Sequence, residues 1–347
     1  MTVSDLTERE LIKRIGERLQ PPPGWLTVGI GDDAAVVEPE RNRLEVLSVD
    51  AIVEGVHFDR RFTPPGAIGH RALAVNLSDL AAMGAAPRLA LLSFVLPPAL
   101  LLDDFDALVS GLAALALRHK LHVVGGNLTR SPGPLMIDVT VTGTAKRRQV
   151  LTRAGARPGD GLYVTGSLGG AAAGLEMLRH TAGAPSEAQD PTGSDLRAQG
   201  LERCANRYLY PEPRVRMGLA LGRNRVASAC MDLSDGLADG VRQIAEASGV
   251  GIIVDAEALP VDQEARAWFD ARGGDALTRA ITGGDDYELV FTSPPRGNGR
   301  LLAASRGADV AVTRIGICTK ARDLILRRSS EGPPRDEAIP SGYTHFR

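Results

Sequence analysis

The sequence contains only three cysteines, and they lie far apart. Cys204, Cys230 and Cys318 show none of the CxxC spacing that marks zinc sites and redox motifs. A scaffold held together by disulfides would need more cysteines in a shorter chain. The distribution argues against both classes and predicts a protein of the reducing cytoplasm.

Long hydrophobic runs and a strong net charge are also missing. The longest apolar run, at residues 89–102, is broken by Pro97 and Pro98 and is too short to span a bilayer. The first residues have mixed charges and an amphipathic pattern, without the apolar core of a signal peptide. A formal net charge of -2 gives no sign of a nucleic-acid or anionic-membrane partner. We therefore expect neither nucleic acid nor membrane as a partner.

Aromatic residues make up only 4% of the chain, so alanine, leucine and valine must fill the core. A length of 347 residues is enough for about two domains. In the first half, apolar patterns predict strands over 44–50, 89–96 and 134–145. The run 89–96 is apolar throughout and predicts a strand buried on both faces. Helices are predicted between the strands, over 67–84 and 104–120.

A basic, turn-rich segment at 146–160 marks the predicted domain boundary. We place one domain over 1–146 and a second over 147–347. Residues 181–198 are rich in Pro, Gly, Ser and acidic residues, and we expect them to form a mobile surface insertion. Each half mixes strands with helices, so the fold class is α/β in the mixed α+β sense, with two domains.

Aspartates recur where predicted strands end or predicted helices begin. Asp50 closes the first strand on the same face as Ser48, and Ser234 has the residue type and place of a helix N-cap. The other aspartates at such positions are Asp32, Asp33, Asp79, Asp232, Asp235, Asp285 and Asp286. Folds that alternate strands and helices commonly place their functional sites at these points.

The chemistry of these side chains favours one kind of ligand. Carboxylates without a histidine or cysteine cluster suit hard, oxygen-seeking cations, above all Mg²⁺. A magnesium ion held by one or two carboxylates usually also contacts substrate phosphates. The adjacent charges of Asp32 and Asp33 would then be tolerated because metal ions lie between them.

Each residue also has a simpler interpretation. An aspartate in a glycine turn is commonly a turn residue, and Asp235 could be only an acid at a helix start. The glycines of GSLGGAAAG, at 166–174, lack the lysine of a phosphate loop and predict close helix packing. Spacing alone therefore supports a two-domain α/β protein that binds a divalent metal and an anion.

Eight longer motifs occur in order along the chain: GIGDDAAV, SVDAIVEGVHF, GHRALAVNLSDLAAMGAAP, VVGGNLTRS, RAGARPGDGLYVTGSLG, MDLSDGLADG, TGGDDYELVFT and PSGYTHF. Together they closely resemble the thiamine-monophosphate kinase family, part of the PurM-like (aminoimidazole-ribonucleotide synthetase) superfamily. The resemblance runs from about residue 5 to the C-terminus, apart from 181–198. Eight ordered motifs are highly specific, although each alone would be weak.

The resemblance implies a kinase of thiamine diphosphate biosynthesis, which uses ATP to phosphorylate thiamine monophosphate to thiamine diphosphate. It also implies a PurM-like fold and a cytoplasmic homodimer, in which N-terminal strands of two subunits form a β-barrel with nucleotide sites near the interface. Because the acceptor phosphate is already anionic, the reaction needs no strong general base. No Ser, Cys or His stands in a nucleophile-and-base arrangement, so we expect direct in-line transfer with several Mg²⁺ ions.

The resemblance also assigns site residues by motif. Magnesium would be bound by Asp33, Ser48, Val49 (through its carbonyl), Asp50, Asp79, Asn127, Asp232 and Asp235. ATP would be bound by Gly126, Asn127, Arg153 and Ser234, and the thiamine phosphate by His57, Asp285 and Tyr343. Catalysis would depend on Asp50, Asp79 and Arg153. Many family members have Glu at the position of Asp285 and Trp at that of Tyr343. The position of Asn127 is Asp in many members and Asn in others.

Two alternatives remain. Another PurM-like ATP-dependent enzyme, such as one resembling aminoimidazole-ribonucleotide synthetase, would share the metal and nucleotide machinery, although VEGVHF and GGDDYEL favour the kinase. The second alternative is an acidic cation-binding or scaffold protein without enzymatic activity. The D-x-D-x-D-G spacing of calcium loops is absent from the sequence, which argues against this second alternative.

Overall fold

The computed structural model describes residues 1–183, 202–329 and 334–342. The chain folds into two compact units. The first unit comprises residues 1–80 and 85–147, and the second comprises residues 81–84 and those from 148 onwards.

The first unit contains three α-helices and six strands among its residues. The helices are α1 (Glu8–Arg18), α2 (Pro65–Ala82, whose last two residues cluster with the second unit) and α3 (Leu102–Arg118), preceded by a 3-10 turn at Val3–Asp5. The strands are β1 (Leu26–Val28), β2 (Val36–Val37), β3 (Leu44–Val53), β4 (Ala86–Leu96), β5 (His122–Arg130) and β6 (Met136–Ala145). The predicted helices and strands of this half are therefore present, with ends that differ by at most three residues.

Four strands of the first unit form one sheet in the order β3-β6-β4-β5, so β3 and β5 are its edges. Strand β6 is antiparallel to β3 and β4, and β4 is parallel to β5. Helices pack on one face, where the ring of Phe94 lies 5.9 Å edge-on from Phe105 of α3. The remaining pair, β1 and β2, forms a small separate sheet.

The second face of this sheet is apolar and exposed. Leu91 of β4 is 41% exposed, and Leu47 and Val49 of β3 are 66% and 57% exposed, while Leu92 and Phe94 are buried. The prediction that 89–96 is buried on both faces is therefore wrong for the single chain. The hydrophobic pattern is continuous, yet the chain's helices cover only alternate residues of the strand.

The second unit carries the remaining seven α-helices and seven strands of the described residues. Its helices are α4 (Gly170–Ala182), α5 (Glu202–Leu209), α6 (Val215–Asn224), α7 (Leu237–Ser248), α8 (Gln263–Asp270), α9 (Ala276–Thr282) and α10 (Asn298–Ala308), with 3-10 turns at Ala256–Ala258 and Pro295–Gly297. Its strands are β7 (Gly161–Thr165), β8 (Ala229–Asp232), β9 (Gly251–Asp255), β10 (Leu289–Ser293), β11 (Val312–Thr319), β12 (Leu324–Arg328) and β13 (Arg335–Ala338). The mixed α/β class predicted from the sequence is confirmed in both units.

The seven strands form a mostly antiparallel sheet in the order β13-β12-β9-β11-β7-β10-β8. Only β12 and β9 are parallel neighbours. The apolar core of this unit lies between the sheet and a set of helices, one of which is α7. Val290 of β10 and Val241 of α7 are fully buried in this core. Strands β10 and β8 thus lie at one side of the sheet, where β8 ends at Asp232.

Two predictions about the helix α4 region have different outcomes. The glycines of 166–174 were expected to allow close helix packing, and this is confirmed, because a Cβ on Gly174 would lie 2.0 Å from the carbonyl oxygen of Cys204 in α5. The predicted insertion at 181–198 begins too early, since α4 continues to Ala182. Residues 184–198 of that prediction lie outside the described residues. Every helix within the described ranges is too short or too polar to span a bilayer.

Candidate active site

In the first unit, the predicted metal ligands Ser48 and Asp79 are in direct contact. Ser48 lies on β3 and Asp79 on α2, and the serine hydroxyl donates a short hydrogen bond to the aspartate carboxylate. Asp50 lies two residues further along β3 and therefore on the same face of the strand as Ser48. This face offers hydroxyl and carboxylate oxygens, which are the donors that Mg²⁺ prefers.

The Asp32–Asp33 pair lies in a local turn. Gly31 has a φ of +113°, and the backbone N–H of Asp33 donates to the Asp32 carboxylate over 2.8 Å. Both aspartates are exposed. One carboxylate therefore stabilises the turn by binding its neighbour's N–H, which leaves the carboxylate of Asp33 at the surface of the unit.

Gly126 and Asn127 lie on the opposite edge of the same sheet. The side-chain amide of Asn127 donates to the Thr129 hydroxyl over 2.8 Å. Gly126 of β5 is in register with Leu92 of β4, and Leu92 is in register with Val139 of β6. A β-carbon on Gly126 would lie 2.0 Å from the carbonyl oxygen of Leu92, so no larger residue fits here.

Within one copy of the chain, the sheet register separates the predicted ligands on β3 from the predicted ATP-binding residues on β5. Val139 is in register with Asp50, so Asp50 and Gly126 lie in one row of residues across four strands. Three strand spacings correspond to roughly 14 Å. Asn127 belongs to the next row, and its side chain is on the other face of the sheet from Asp50. Within one copy, Asp50 and Asn127 are thus too far apart to bind the same ion.

His57 is positioned by the end of β3. The backbone N–H of Val53 donates to Nδ1 of His57 over 3.1 Å. An imidazole that accepts a hydrogen bond at Nδ1 carries its proton on Nε2 when neutral, so Nε2 is the nitrogen that can donate. This fixes the tautomer that a predicted substrate residue would present.

In the second unit, Asp232 is 4% exposed and ends strand β8. The segment that follows enters α7 at Leu237. The prediction that Ser234 caps this helix is wrong, because the N-cap is Gly236, with a φ of 92° and no side-chain cap bond. The chain needs a left-handed glycine to turn from the strand into the helix, so the helix begins later than the serine predicts.

Backbone hydrogen bonds connect the segment around Ser234 to the GGDDYEL motif. The N–H of Asp285 donates to the carbonyl of Ser234 over 2.8 Å, and the N–H of Tyr287 donates to the carbonyl of Leu233 over 3.0 Å. The N–H of Leu233 donates in turn to the carbonyl of Glu288 over 2.8 Å. A β-carbon on Gly284 would lie 2.4 Å from the carbonyl oxygen of Ser234. Two segments far apart in the sequence therefore form one frame.

Asp285, the predicted substrate residue, stands in an unusual backbone conformation on this frame. Its φ is 68°, and that of Tyr287 is 49°, both in the left-handed region. The phenol of Tyr287 donates to Oδ1 of Asp285 over 3.0 Å. Tyr287 is only 7% exposed, so its ring is fixed beside the carboxylate. No motif or spacing in the sequence distinguishes Tyr287 as a site residue.

The two other acids of this motif point into the protein. Both are buried: Asp286 accepts from the N–H groups of Gly169 and Ala171 over 2.6 and 3.1 Å, at the start of α4. Glu288 binds Arg214 through two hydrogen bonds of 2.5 and 2.7 Å, and it lies 3.2 Å from Arg207. An acid within the apolar run YELVF was a signal that a buried cation must pair with it.

The environment shifts the pKa values of these two acids in opposite directions. Burial raises the pKa of Asp286 to about 6, against the opposing effects of Arg207 and the backbone N–H groups. Burial also opposes ionisation of Glu288, yet the hydrogen bonds and charge of Arg214 hold the pKa of Glu288 below its usual value. The lowered pKa favours the ionised form of Glu288, which pairs with the two arginines.

Other predicted residues of the second unit lie around the first half of α7. Arg153 donates to the side chain of Gln243, which donates to Asp239 in the first turn of the helix. A β-carbon on Gly342 would lie 3.2 Å from the carbonyl oxygen of Asp235, so the C-terminal segment reaches this helix start. Tyr343, the next residue, lies outside the described residues.

Among residues 1–183, 202–329 and 334–342, only one set of three potential metal-binding side chains has ligand atoms within 4.8 Å of one another. That set is Cys204, Asp262 and Glu264, and it includes none of the predicted magnesium ligands. Its Asp262 carboxylate already binds Arg203 and the N–H groups at the start of α8. These contacts form an ion pair with Arg203 and an N-terminal cap of α8.

Comparison with known proteins covers nearly the whole chain. Models of the AIR synthase related protein family match residues 31–145 (N-terminal domain) and 157–328 (C-terminal domain). The chain is 38% identical over 313 residues to the thiamine-monophosphate kinase of Salmonella typhimurium strain LT2, which covers 89% of this chain and 87% of that relative.

Solved structures give the same result. The crystal structure of thiamine-monophosphate kinase from Stenotrophomonas maltophilia K279a has a TM-score of 0.80 and 37% identity, covering 94% of this chain and 97% of that one. The structure of AaThiL complexed with AMPPCP and TMP has a TM-score of 0.72 and 30% identity, covering 100% of this chain and 99% of that one. Fold and sequence similarity thus both extend over most of the chain.

Proposed function

Because the chain belongs to the thiamine-monophosphate kinase family of the PurM-like (AIR synthase related) proteins, we propose that it transfers phosphate from ATP to thiamine monophosphate. The products are thiamine diphosphate and ADP. One observation carries this function: the similarity to thiamine-monophosphate kinases spans both units, with 37% identity and a TM-score of 0.80 to a solved member. A second solved relative was complexed with AMPPCP and TMP, an ATP analogue and the acceptor.

Direct in-line transfer fits the residues at hand. The acceptor oxygen belongs to a phosphate and is already anionic, so the enzyme must mainly align and neutralise two polyanions. Ser48, Asp50 and Asp79 offer oxygen donors on one face of β3 and α2, and this donor set fits Mg²⁺. Bound there, the ion would supply positive charge to the phosphates. Asp33, the carbonyl of Val49 and Asn127 are further proposed ligands.

The second unit contributes to both substrates in this proposal. Asp232, Asp235 and Ser234 lie on the segment between β8 and α7, where they would hold further Mg²⁺ and ATP. Arg153, fixed by its hydrogen bond to Gln243, would contact the ATP phosphates. Asp285 would face the thiazolium ring of thiamine monophosphate, whose permanent positive charge a carboxylate complements. We assign His57 and Tyr343 to the same substrate.

A homodimer would complete the site. The exposed apolar residues Leu47, Val49 and Leu91 form a face that a second sheet of the same kind could cover. Within one copy, Asp50 on β3 and Gly126 on β5 lie roughly 14 Å apart, at the two ends of one row of residues across the sheet. We propose that a twofold dimer buries the apolar face in a shared β-barrel. In this dimer, Ser48 and Asp50 on β3 of one copy would lie beside Gly126 and Asn127 on β5 of the other copy.

The three cysteines are free and buried, which supports the proposed cytoplasmic location. The function is tested by incubating the purified protein with ATP, Mg²⁺ and thiamine monophosphate and measuring ADP and thiamine diphosphate. Thiamine itself serves as the control acceptor. Equal amounts of both products are expected only with the monophosphate. ADP without thiamine diphosphate would contradict the proposal and favour another PurM-like ATP-dependent reaction.

A further inference from the structure

We propose that Tyr287 is a positioning residue for thiamine monophosphate, because its phenol holds the Asp285 carboxylate in the orientation that meets the substrate. This inference rests on the proposed function, which assigns Asp285 to that substrate. It concerns a residue outside the set of ligands that the motifs select.

The first support is the backbone. Asp285 and Tyr287 both adopt left-handed conformations, with φ values of 68° and 49°. For a bulky residue such as tyrosine this region is rarely occupied, and it persists where the surroundings impose it. The backbone hydrogen bonds from Asp285 and Tyr287 to Ser234 and Leu233 are those surroundings. The fold therefore maintains a costly geometry at the residues next to the proposed substrate.

The second support is the direction of the side chains. Asp286, between the two left-handed residues, turns inward and binds the start of α4. Asp285 and Tyr287 instead contact each other, with 3.0 Å between the phenol oxygen and Oδ1 of the aspartate. The left-handed backbone at both positions thus brings the phenol to the carboxylate.

The third support is the rigidity of the donor. The Tyr287 ring is 7% exposed and has only two rotatable bonds, so the packed protein fixes its hydroxyl. An aspartate on a partly exposed turn would otherwise lose rotational freedom when it binds a ligand. A fixed phenol removes part of that cost before the substrate arrives, which favours binding.

The test compares Tyr287→Phe with a matched control, Tyr163→Phe. Tyr163 is also buried in the second unit, and its hydroxyl donates to Asn298 over 3.3 Å, away from the proposed site. Both variants remove one hydroxyl and keep the ring. For Tyr287→Phe we expect the KM for thiamine monophosphate to rise about tenfold, the scale of a hydrogen bond to a charged group. The KM for ATP and kcat should change by less than about twofold, and Tyr163→Phe should match the wild type.

A second variant separates positioning from a general loss of structure. In an Asp285→Ala background, which lacks the acceptor of the phenol's hydrogen bond, removal of the phenol should raise the KM for thiamine monophosphate by less than about twofold, because the phenol acts through the carboxylate. An unchanged KM in Tyr287→Phe, or equal losses in all kinetic parameters, would overturn the inference while leaving the function intact. Independent effects of the two changes would overturn it as well. A wild-type protein that forms no thiamine diphosphate would instead overturn the proposed function, and this inference with it.

Discussion

Replacing Glu288 by glutamine tests whether its buried charge supports the GGDDYEL turn. The Glu288 side chain is 0% exposed, and it lies 2.5 Å from Arg214 and 3.2 Å from Arg207. Glutamine keeps the size of the side chain but leaves the guanidinium charges without their anion. Removing one partner of a buried ion pair typically costs about 3–5 kcal/mol.

The structure places the expected value at the lower end of that range. The two arginine side chains are 19% and 21% exposed, so water screens part of their charge. Asp286 lies 3.5 Å from Arg207 and can neutralise part of the remainder. We therefore expect the free energy of unfolding to fall by about 3 kcal/mol. For a unit of this size, that loss corresponds to a Tm lower by roughly 6–12 °C.

Denaturant unfolding followed by circular dichroism measures this loss, and Glu337→Gln is the matched control. Glu337 forms an ion pair of 3.3 Å with Arg328, but its side chain is 51% exposed. The same chemical change there should cost less than about 1 kcal/mol. If Glu288→Gln and Glu337→Gln destabilise the protein equally, the ion-pair network does not stabilise the turn, and this interpretation of Glu288 fails.

Three further predictions concern charge, metal binding and assembly. Because the pKa of Asp286 is raised to about 6, its contribution to stability is present at low pH and is lost as the pH rises through 6. Between pH 5 and 7.5, the wild type should therefore lose about 1 kcal/mol more than Asp286→Asn in parallel unfolding curves; identical pH dependence would refute the shift. Asp50→Asn or Asp79→Asn should reduce turnover at least about 100-fold at saturating Mg²⁺ while the Tm stays within a few degrees, whereas an active variant would exclude that residue as a ligand. Asp50→Asn and Asn127→Lys proteins, each inactive alone, should recover about a quarter of wild-type turnover when refolded together, because half the dimers are mixed and each mixed dimer has one intact site. No recovery would mean that Asp50 and Asn127 of the same copy serve the same site.

Periodic hydrophobic patterns predicted the elements well because they report burial directly. The alternation over 134–145 gave strand β6, and helix α2 was predicted within two residues of its observed ends. The same signal misjudged strand β4, since Leu91 is apolar but exposed in one chain. Apolar character records that a residue is buried somewhere, without stating whether the same chain covers it.

Local patterns also failed where distant segments decide the conformation. Ser234 looks like an N-cap from its neighbours alone, yet its carbonyl is bound by Asp285 and the helix starts after Gly236. Sheet order is equally invisible in the sequence. The sequence motifs of β3 and β5 predicted ligands of one magnesium site, but β3 and β5 form the two edges of the sheet.

In the GGDDYEL motif, residues that stabilise the fold alternate with residues that we propose to act on the acceptor, and an activity assay alone does not distinguish the two kinds. The motif's alternate residues do different work: Asp286 and Glu288 bind α4 and two arginines inside the protein, while Asp285 and Tyr287 contact each other beside Ser234. Loss of any of these side chains would lower activity in a single assay. Changes at the inward acids should lower the free energy of unfolding first, because they remove buried partners. Hydroxyl or carboxylate changes at Tyr287 and Asp285 should alter the KM for the acceptor at unchanged stability, because they leave the hydrogen bonds of Asp286 and Glu288 complete.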